Sequence, residues 1–204
     1  MQKIVALLTL LYSLSSCSQK KETFNDYTAS IRDFQYEMNK EFSDKKTSPL
    51  TEQDLKKFTS LDFFPIDSTY RIEAIFELDE NPTLFEMPTT TTRRPLYKTF
   101  GKAIFQLNGE ELTLHIYQNQ ELIKQPEYKN HLFIPFTDKT NSIESYGGGR
   151  YIDLEIPHDN TIIIDFNKAY NPYCAYNHKY SCPIPPKENN LAVEIKAGVK
   201  AYKK

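Results

Sequence analysis

The groups best equipped for chemistry crowd into one stretch, Tyr146 to Pro186, which reads YGGGRYIDLEIPHDNTIIIDFNKAYNPYCAYNHKYSCPIPP. Cys174, His178 and Cys182 recur at every fourth position, a set of groups that can bind metal. Two cysteines and one histidine supply only three ligands, however, and no CxxC or HxxxH pattern completes a zinc site. A redox pair would ordinarily show CxxC spacing as well. In an exported chain two lone cysteines are most simply a disulfide. Its short loop would contribute about 2.5 kcal/mol in the chain-entropy treatment. The expectation is a Cys174–Cys182 disulfide and no metal.

Upstream, Tyr146-Gly147-Gly148-Gly149-Arg150-Tyr151 offers backbone N–H groups to a concavity, because glycine lets another group come close. The pattern is not GxGxxG and no helix follows it, so nucleotide binding and a nucleotide cofactor are not expected. Asp165, Asn167, Tyr170 and Asn171 stand where a strand ends, the place at which β-rich folds build small-ligand sites. The candidate ligand-binding set is therefore Gly147, Gly148, Gly149, Arg150, Tyr151, Asp165, Asn167, Tyr170 and Asn171. Within it Arg150 is an anion clamp and Tyr151, Tyr170 and Asn171 are walls. Asp153 and Asp165, paired across a hairpin, could instead do acid–base work or hold a hard cation, with His178 assisting. His115, His131, His158 and His178 fall in separate elements, and no GxSxG or Ser/His/Asp order is present. Catalytic residues stay unassigned, and Arg93-Arg94 in TTTTRRP is a further anion-gripping candidate.

The elements that must position these groups are mostly strands. The chain has no Trp but 14 Tyr and 13 Phe, and such rings favour a half-buried pleated surface. The expected fold is mainly β (α+β), a single antiparallel β-sandwich or barrel-like domain with one or two N-terminal helices. Tyr27, Ile31, Phe34, Met38 and Phe42 form a helical stripe. SPLTEQDLKKF predicts a second helix capped by Ser48, with Pro49 at its first position. Asn108-Gly109 predicts a type I′ hairpin pairing Leu107 with Glu110, Phe105 with Leu112 and Ala103 with Leu114. RYIDLEI and TIIIDF predict another hairpin across Pro157–Asn160, which would set Arg150 beside Asp165 to Asn167. LAVEIKA predicts a last strand.

The N-terminus carries an address. Lys3, an apolar run from Ile4 to Leu14 and Leu14-Ser15-Ser16-Cys17 read as a signal peptide too short to span a bilayer. Its end resembles a bacterial lipobox, which implies cleavage before Cys17 and acylation there. Residues 1–16 are the expected lipoprotein signal, 17–24 a tether and 25–204 one β-rich domain. Ser18 in place of Asp favours the outer membrane of the bacterial cell envelope, by resemblance to sorted lipoproteins. The membrane, through the lipid on Cys17, is thus one partner. With 25 basic and 27 acidic residues the net charge is −2, which gives no footprint for nucleic acid.

Three blocks, FTDKTNSIESYGGGRYIDL, IDFNKAYNPYCAY and SCPIPPKENNLAVEIKAG, resemble the domain of unknown function 1684 family of bacterial proteins, several of which are lipoproteins. The resemblance extends over most of the mature chain, through the 48–58 region and YKTFGKAIF. It implies that Tyr146–Tyr151, Asp165–Asn167, Ala169–Pro172, Cys174, Cys182 and Pro183 are signature residues and leaves His178 outside. It brings no established activity. The functional expectation is an envelope lipoprotein that binds a small molecule or envelope polymer or serves as an accessory module. A hydrolase or metal-dependent enzyme, or a structural scaffold, are the alternatives.

Overall fold

The computed structural model describes residues 24–203, so the expected signal peptide and the expected acylation at Cys17 lie outside the described residues. Helix α1 (Phe24–Ser43) follows the predicted stripe. Tyr27, Ile31 and Phe42 are buried, whereas Phe34 and Met38 are only half-covered, a difference that matters below. The second helix is a single turn, α2 (Glu52–Leu55). It is capped by Thr51, whose hydroxyl accepts the Asp54 N–H at 3.1 Å, and not by Ser48. Starting three residues later than expected, it has no room for the longer helix.

The strands are β1 (Arg71–Leu78), β2 (Leu84–Glu86), β3 (Leu96–Leu107), β4 (Glu110–Asn119), β5 (His131–Phe136), β6 (Arg150–Glu155) and β7 (Thr161–Asp165). All pairs are antiparallel, in the order β6-β5-β4-β3-β1-β7 with β2 also on β3. The sheet curls into a half-barrel, which bears out the mainly β expectation. The β3–β4 hairpin has the predicted register, with Asn108 and Gly109 at φ 54° and 82°. Those positive angles are what a type I′ turn demands.

The second predicted hairpin does not form. β6 pairs with β5 and β7 with β1, so two strands adjacent in sequence end at opposite edges of the sheet. Residues 156–160 contain no positive φ and so lack the tight turn that would fold β7 back on β6. Arg71 therefore faces Asp165, and Phe133 faces Asp153. The two carboxylates are not paired, and Arg150 is not beside Asp165.

The inner face of the curl holds the aliphatic core, including Leu114, Ile116, Leu132, Ile134, Ile152 and Ile164. Leu191, Val193, Ile195 and Ala197 close it, alternating as a strand would. Yet this segment joins no ladder. Its hydrogen bonds go instead to the side chains of Arg150 and Asp138 and to the backbone of Thr137 and Lys139. Asn189 does a similar job where Pro135 lacks an N–H. Its side chain bonds the His115 N–H at 2.7 Å and the carbonyls of His115 and Pro135, both at 2.9 Å.

Candidate functional site

Residues on β6 alternate between faces, and this alternation splits the predicted site into two. Arg150 points into the core and is wholly buried, as is its partner Asp138, 2.8 Å away. Its guanidinium also donates to the carbonyls of Ile195 at 2.8 Å, Val199 at 3.4 Å and Ala197. The Asp138 carboxylate accepts from the N–H groups of Thr140 and Ile195. The rings of Phe64 and Phe136 lie 5.7 and 5.4 Å from the guanidinium carbon. Burial pulls the guanidinium below its ordinary pKa, and the facing Asp138 opposes that shift. No ligand can reach this arginine, so it is not the expected anion clamp.

The glycine run serves the same end. Gly149 has φ +90°, and a Cβ there would sit 2.5 Å from the Phe136 carbonyl oxygen. The run therefore turns the chain tightly into β6. Asp165 and Asn167 are likewise internal. Asp165 accepts from the Tyr27 hydroxyl at 3.0 Å and from the Asn167 N–H at 3.0 Å. The Asn167 amide in turn donates to Tyr27 Oη at 2.9 Å and to the Asp67 carbonyl at 2.8 Å. This knot ties α1 to the end of β7. Arg93 spends its donors on Ser181, and Arg94 on the carbonyls of Thr91 and Arg93.

Tyr151 and Asp153 point to the other face, where β4, β5 and β6 carry rings instead of aliphatic chains. Phe133 and Tyr151 meet edge to face at 4.8 Å, and Tyr151 and Tyr170 at 5.8 Å and 90°. Tyr151 and Tyr170 also exchange backbone hydrogen bonds of 2.9 and 3.0 Å. The Tyr151 hydroxyl donates to the Pro183 carbonyl. Between this surface, the 170–183 segment and the half-covered side of α1 runs a cleft of about 510 Å³. Its lining includes Phe34, Met38, Tyr97, Phe133, Tyr151 and Tyr173. Of the predicted set, Tyr151, Tyr170 and Asn171 line it, while the three glycines, Arg150, Asp165 and Asn167 do not.

At one end of the cleft Asp153 accepts two hydrogen bonds, from Tyr170 Oη at 2.7 Å and from His131 Nε2 at 2.9 Å. The other ring nitrogen of His131, Nδ1, is buried with no hydrogen-bond partner. Glu41 of α1, at the cleft, accepts from Tyr173 Oη at 2.6 Å. Burial and the neighbouring Asp153 hold the Tyr170 phenol well above its usual pKa. Burial and Glu41 do the same at Tyr173. A second depression of about 580 Å³ adjoins across His131 and Asp153 but is walled by the turn at Pro126–Asn130.

Cys174 and Cys182 are free and buried side by side, so the expected disulfide is not formed here. The Cys174 N–H donates to Cys182 Sγ at 3.1 Å. A hydrogen bond from Cys182 lowers the Cys174 thiol, while the same contact and burial raise Cys182. Among the described residues no group of three or more His, Cys, Asp or Glu is placed to hold a metal ion.

His131 and Asp153 escaped the sequence reading as a unit because they are diagonal neighbours across a β5–β6 ladder. The alternation HLF in β5 and YID in β6 was the available signal, since it puts His131, Phe133, Tyr151 and Asp153 on one face once the pairing is known. Glu41 and Tyr173 had no such signal, as they meet only through the docking of α1.

Residues 56–200 match the model of a family described as a protein of unknown function (DUF1684). The chain is also similar to an uncharacterized protein of Haloarcula marismortui whose solution NMR structure is known, with 34% identity and a TM-score of 0.67. The likeness covers 86% of this chain and 95% of that one. No curated protein matches the chain.

Proposed function

The chain belongs to the DUF1684 family, and from that premise and the geometry of the cleft we propose that it is a binding module of the bacterial cell envelope. Its ligand is a small organic molecule held between α1 and the aromatic face of β4–β6. The observation that carries this reading is the cleft itself. Its volume of about 510 Å³ lies within the range that encloses small molecules, and its lining is mainly rings with a few fixed polar groups. The lipobox ending at Cys17 supports anchorage to the outer membrane through acyl chains, since one chain alone binds weakly. An oxidising compartment would favour a disulfide between the adjacent Cys174 and Cys182.

Binding is favoured over hydrolysis by the state of the acid–base groups. Both Asp153 oxygens accept from neighbours, the free nitrogen of His131 is buried, and Asp165 is tied into a separate knot. A general base needs an exposed lone pair within reach of a substrate proton. The unpartnered nitrogen of His131 and the internal Asp165 present none, and Asp153 is held by a donor at each oxygen.

The test is a thermal-shift screen of the full-length chain with a diverse fragment set. Hits should lose their melting shift in Tyr173→Ala and Met38→Ala at the cleft, while the unliganded melting temperature changes little. An absence of hits, or shifts that survive both variants, would remove the cleft reading. Incorporation of labelled palmitate that disappears in Cys17→Ala tests the anchor, and intact mass after alkylation without reductant counts the free thiols. Label retained in Cys17→Ala would end the anchor assignment, and two alkylated thiols the disulfide.

A further inference from the structure

The chemistry of the lining narrows the ligand class. Glu41 and Asp153 are the carboxylates in the cleft wall, and neither Lys nor Arg lines it. Asp153 takes its hydrogen bonds from a phenol and an imidazole, and Glu41 takes one from a phenol. The phenol donors orient these carboxylates without supplying a compensating cation. Arg93 and Lys179 lie outside the lining, Arg93 bonded to Ser181 and Lys179 5.0 Å from the Tyr180 ring.

The rings add to the same field. Tyr170 and Tyr173 each donate a hydroxyl proton to a carboxylate, which leaves their π faces richer in electron density. Phe133, Tyr151 and Tyr170 all line the cleft, and their ring planes meet at 73° and 90°. Aromatic walls at steep angles next to carboxylates recognise alkylated ammonium groups, through cation–π attraction to the negative ring faces. A hard metal ion would instead require several open oxygen ligands. An anionic ligand would meet two carboxylates and neither Lys nor Arg in the wall.

Resting on the binding reading above, we propose that the cleft takes an organic cation, with a quaternary or alkylated ammonium group between the rings and facing Glu41 and Asp153. The group could belong to a free amine or to a lipid headgroup.

Calorimetry on the full-length chain with choline and with its uncharged isostere 3,3-dimethylbutan-1-ol separates charge from shape. Choline should bind about tenfold more tightly than the isostere. Glu41→Gln and Asp153→Asn, which keep the side-chain size, should weaken choline several-fold and leave the isostere unchanged. Glycerophosphocholine distinguishes the sources. Tighter binding than choline assigns a lipid headgroup, and weaker binding assigns a free amine, whose ligand lacks the phosphate that the carboxylates repel. Equal affinity for choline and the isostere, or failure of choline to bind, would overturn the cation assignment. The binding reading would survive that failure if neutral fragments still shift melting and lose the shift in Tyr173→Ala. It would fall with it if no fragment binds.

Discussion

Arg150 and Asp153 stand three residues apart on the same strand, each ion-paired or hydrogen-bonded to a partner, and their roles are opposite. Arg150 and Asp138 have no exposed side-chain surface, whereas Asp153 is 47% exposed. The sealed pair is surrounded by groups that have nowhere else to bond: three carbonyls of the 195–199 segment and the Ile195 N–H. The open network faces a cleft in which its carboxylate charge remains available. What separates scaffold from site is therefore the face of β6 that a residue occupies.

The largest expected effect comes from breaking the sealed pair. Removing one partner of a buried ion pair strands the other charge and typically costs about 3–5 kcal/mol. Arg150→Met should show a loss of that order in urea unfolding, and Asp138→Asn a comparable one. Replacing both partners by apolar residues often restores stability in other proteins. Here it should not, because the double variant Asp138→Leu with Arg150→Met leaves the same carbonyls and N–H without partners. Unsatisfied backbone groups of this kind cost about 1–3 kcal/mol each. A double variant as stable as the parent would show that the pair, and not its backbone bonds, holds the last segment.

This division also explains how far the sequence could be read. The β3–β4 hairpin was legible because its information is local: two residues with positive φ fix the register of everything around them. The helical stripe of α1 was legible for the same reason. The β6–β7 hairpin failed because adjacency in sequence is a poor guide when the connection has no tight turn and both strands find distant partners. Most of the signature residues are packing devices. Arg150, Gly149, Asp165 and Asn167 hold the ends of strands, while Tyr151, Tyr170, Asn171, Pro172, Cys182 and Pro183 reach the cleft. An arginine beside three glycines suggests an anion site until its burial is known. The alternation of LAVEIKA showed its burial and not its bonding, which a side chain supplies in place of a ladder.

Alkali should attack the aromatic face and leave the aliphatic side of the sheet to follow. Burial holds Tyr117, Tyr151, Tyr170 and Tyr173 above the ordinary phenol range, and Tyr146 is pushed up to about 12. Above pH of about 10 the unfolded chain loses tyrosine protons that the folded chain keeps. The unfolded state then binds fewer protons, so stability must fall as pH rises. It should be fully present below pH of about 10 and decline beyond it, with phenolate absorbance lagging behind that of the denatured chain. Phenolate absorbance that rises at the same pH in the folded and denatured chain would show that these rings are not sealed.

The smallest effect on stability, and the sharpest test of the contrast, is at Asp153. An exposed carboxylate bonded to a histidine and a phenol contributes little to folding, so Asp153→Asn should change unfolding free energy by less than about 1 kcal/mol. The asparagine oxygen can still accept from one of the two donors, which limits the loss further. The same isosteric change at Asp138 lies at the top of the scale, since its charge compensates a buried guanidinium. The ratio of the two losses, measured side by side in urea, is the quantity that burial sets. If both asparagine variants lost similar stability, Asp153 would be a structural carboxylate like Asp138, and the cleft would be a flaw in packing. If only Asp138→Asn is costly, Asp153 is held in place by its neighbours while contributing little to the fold, as a group kept for a ligand would be.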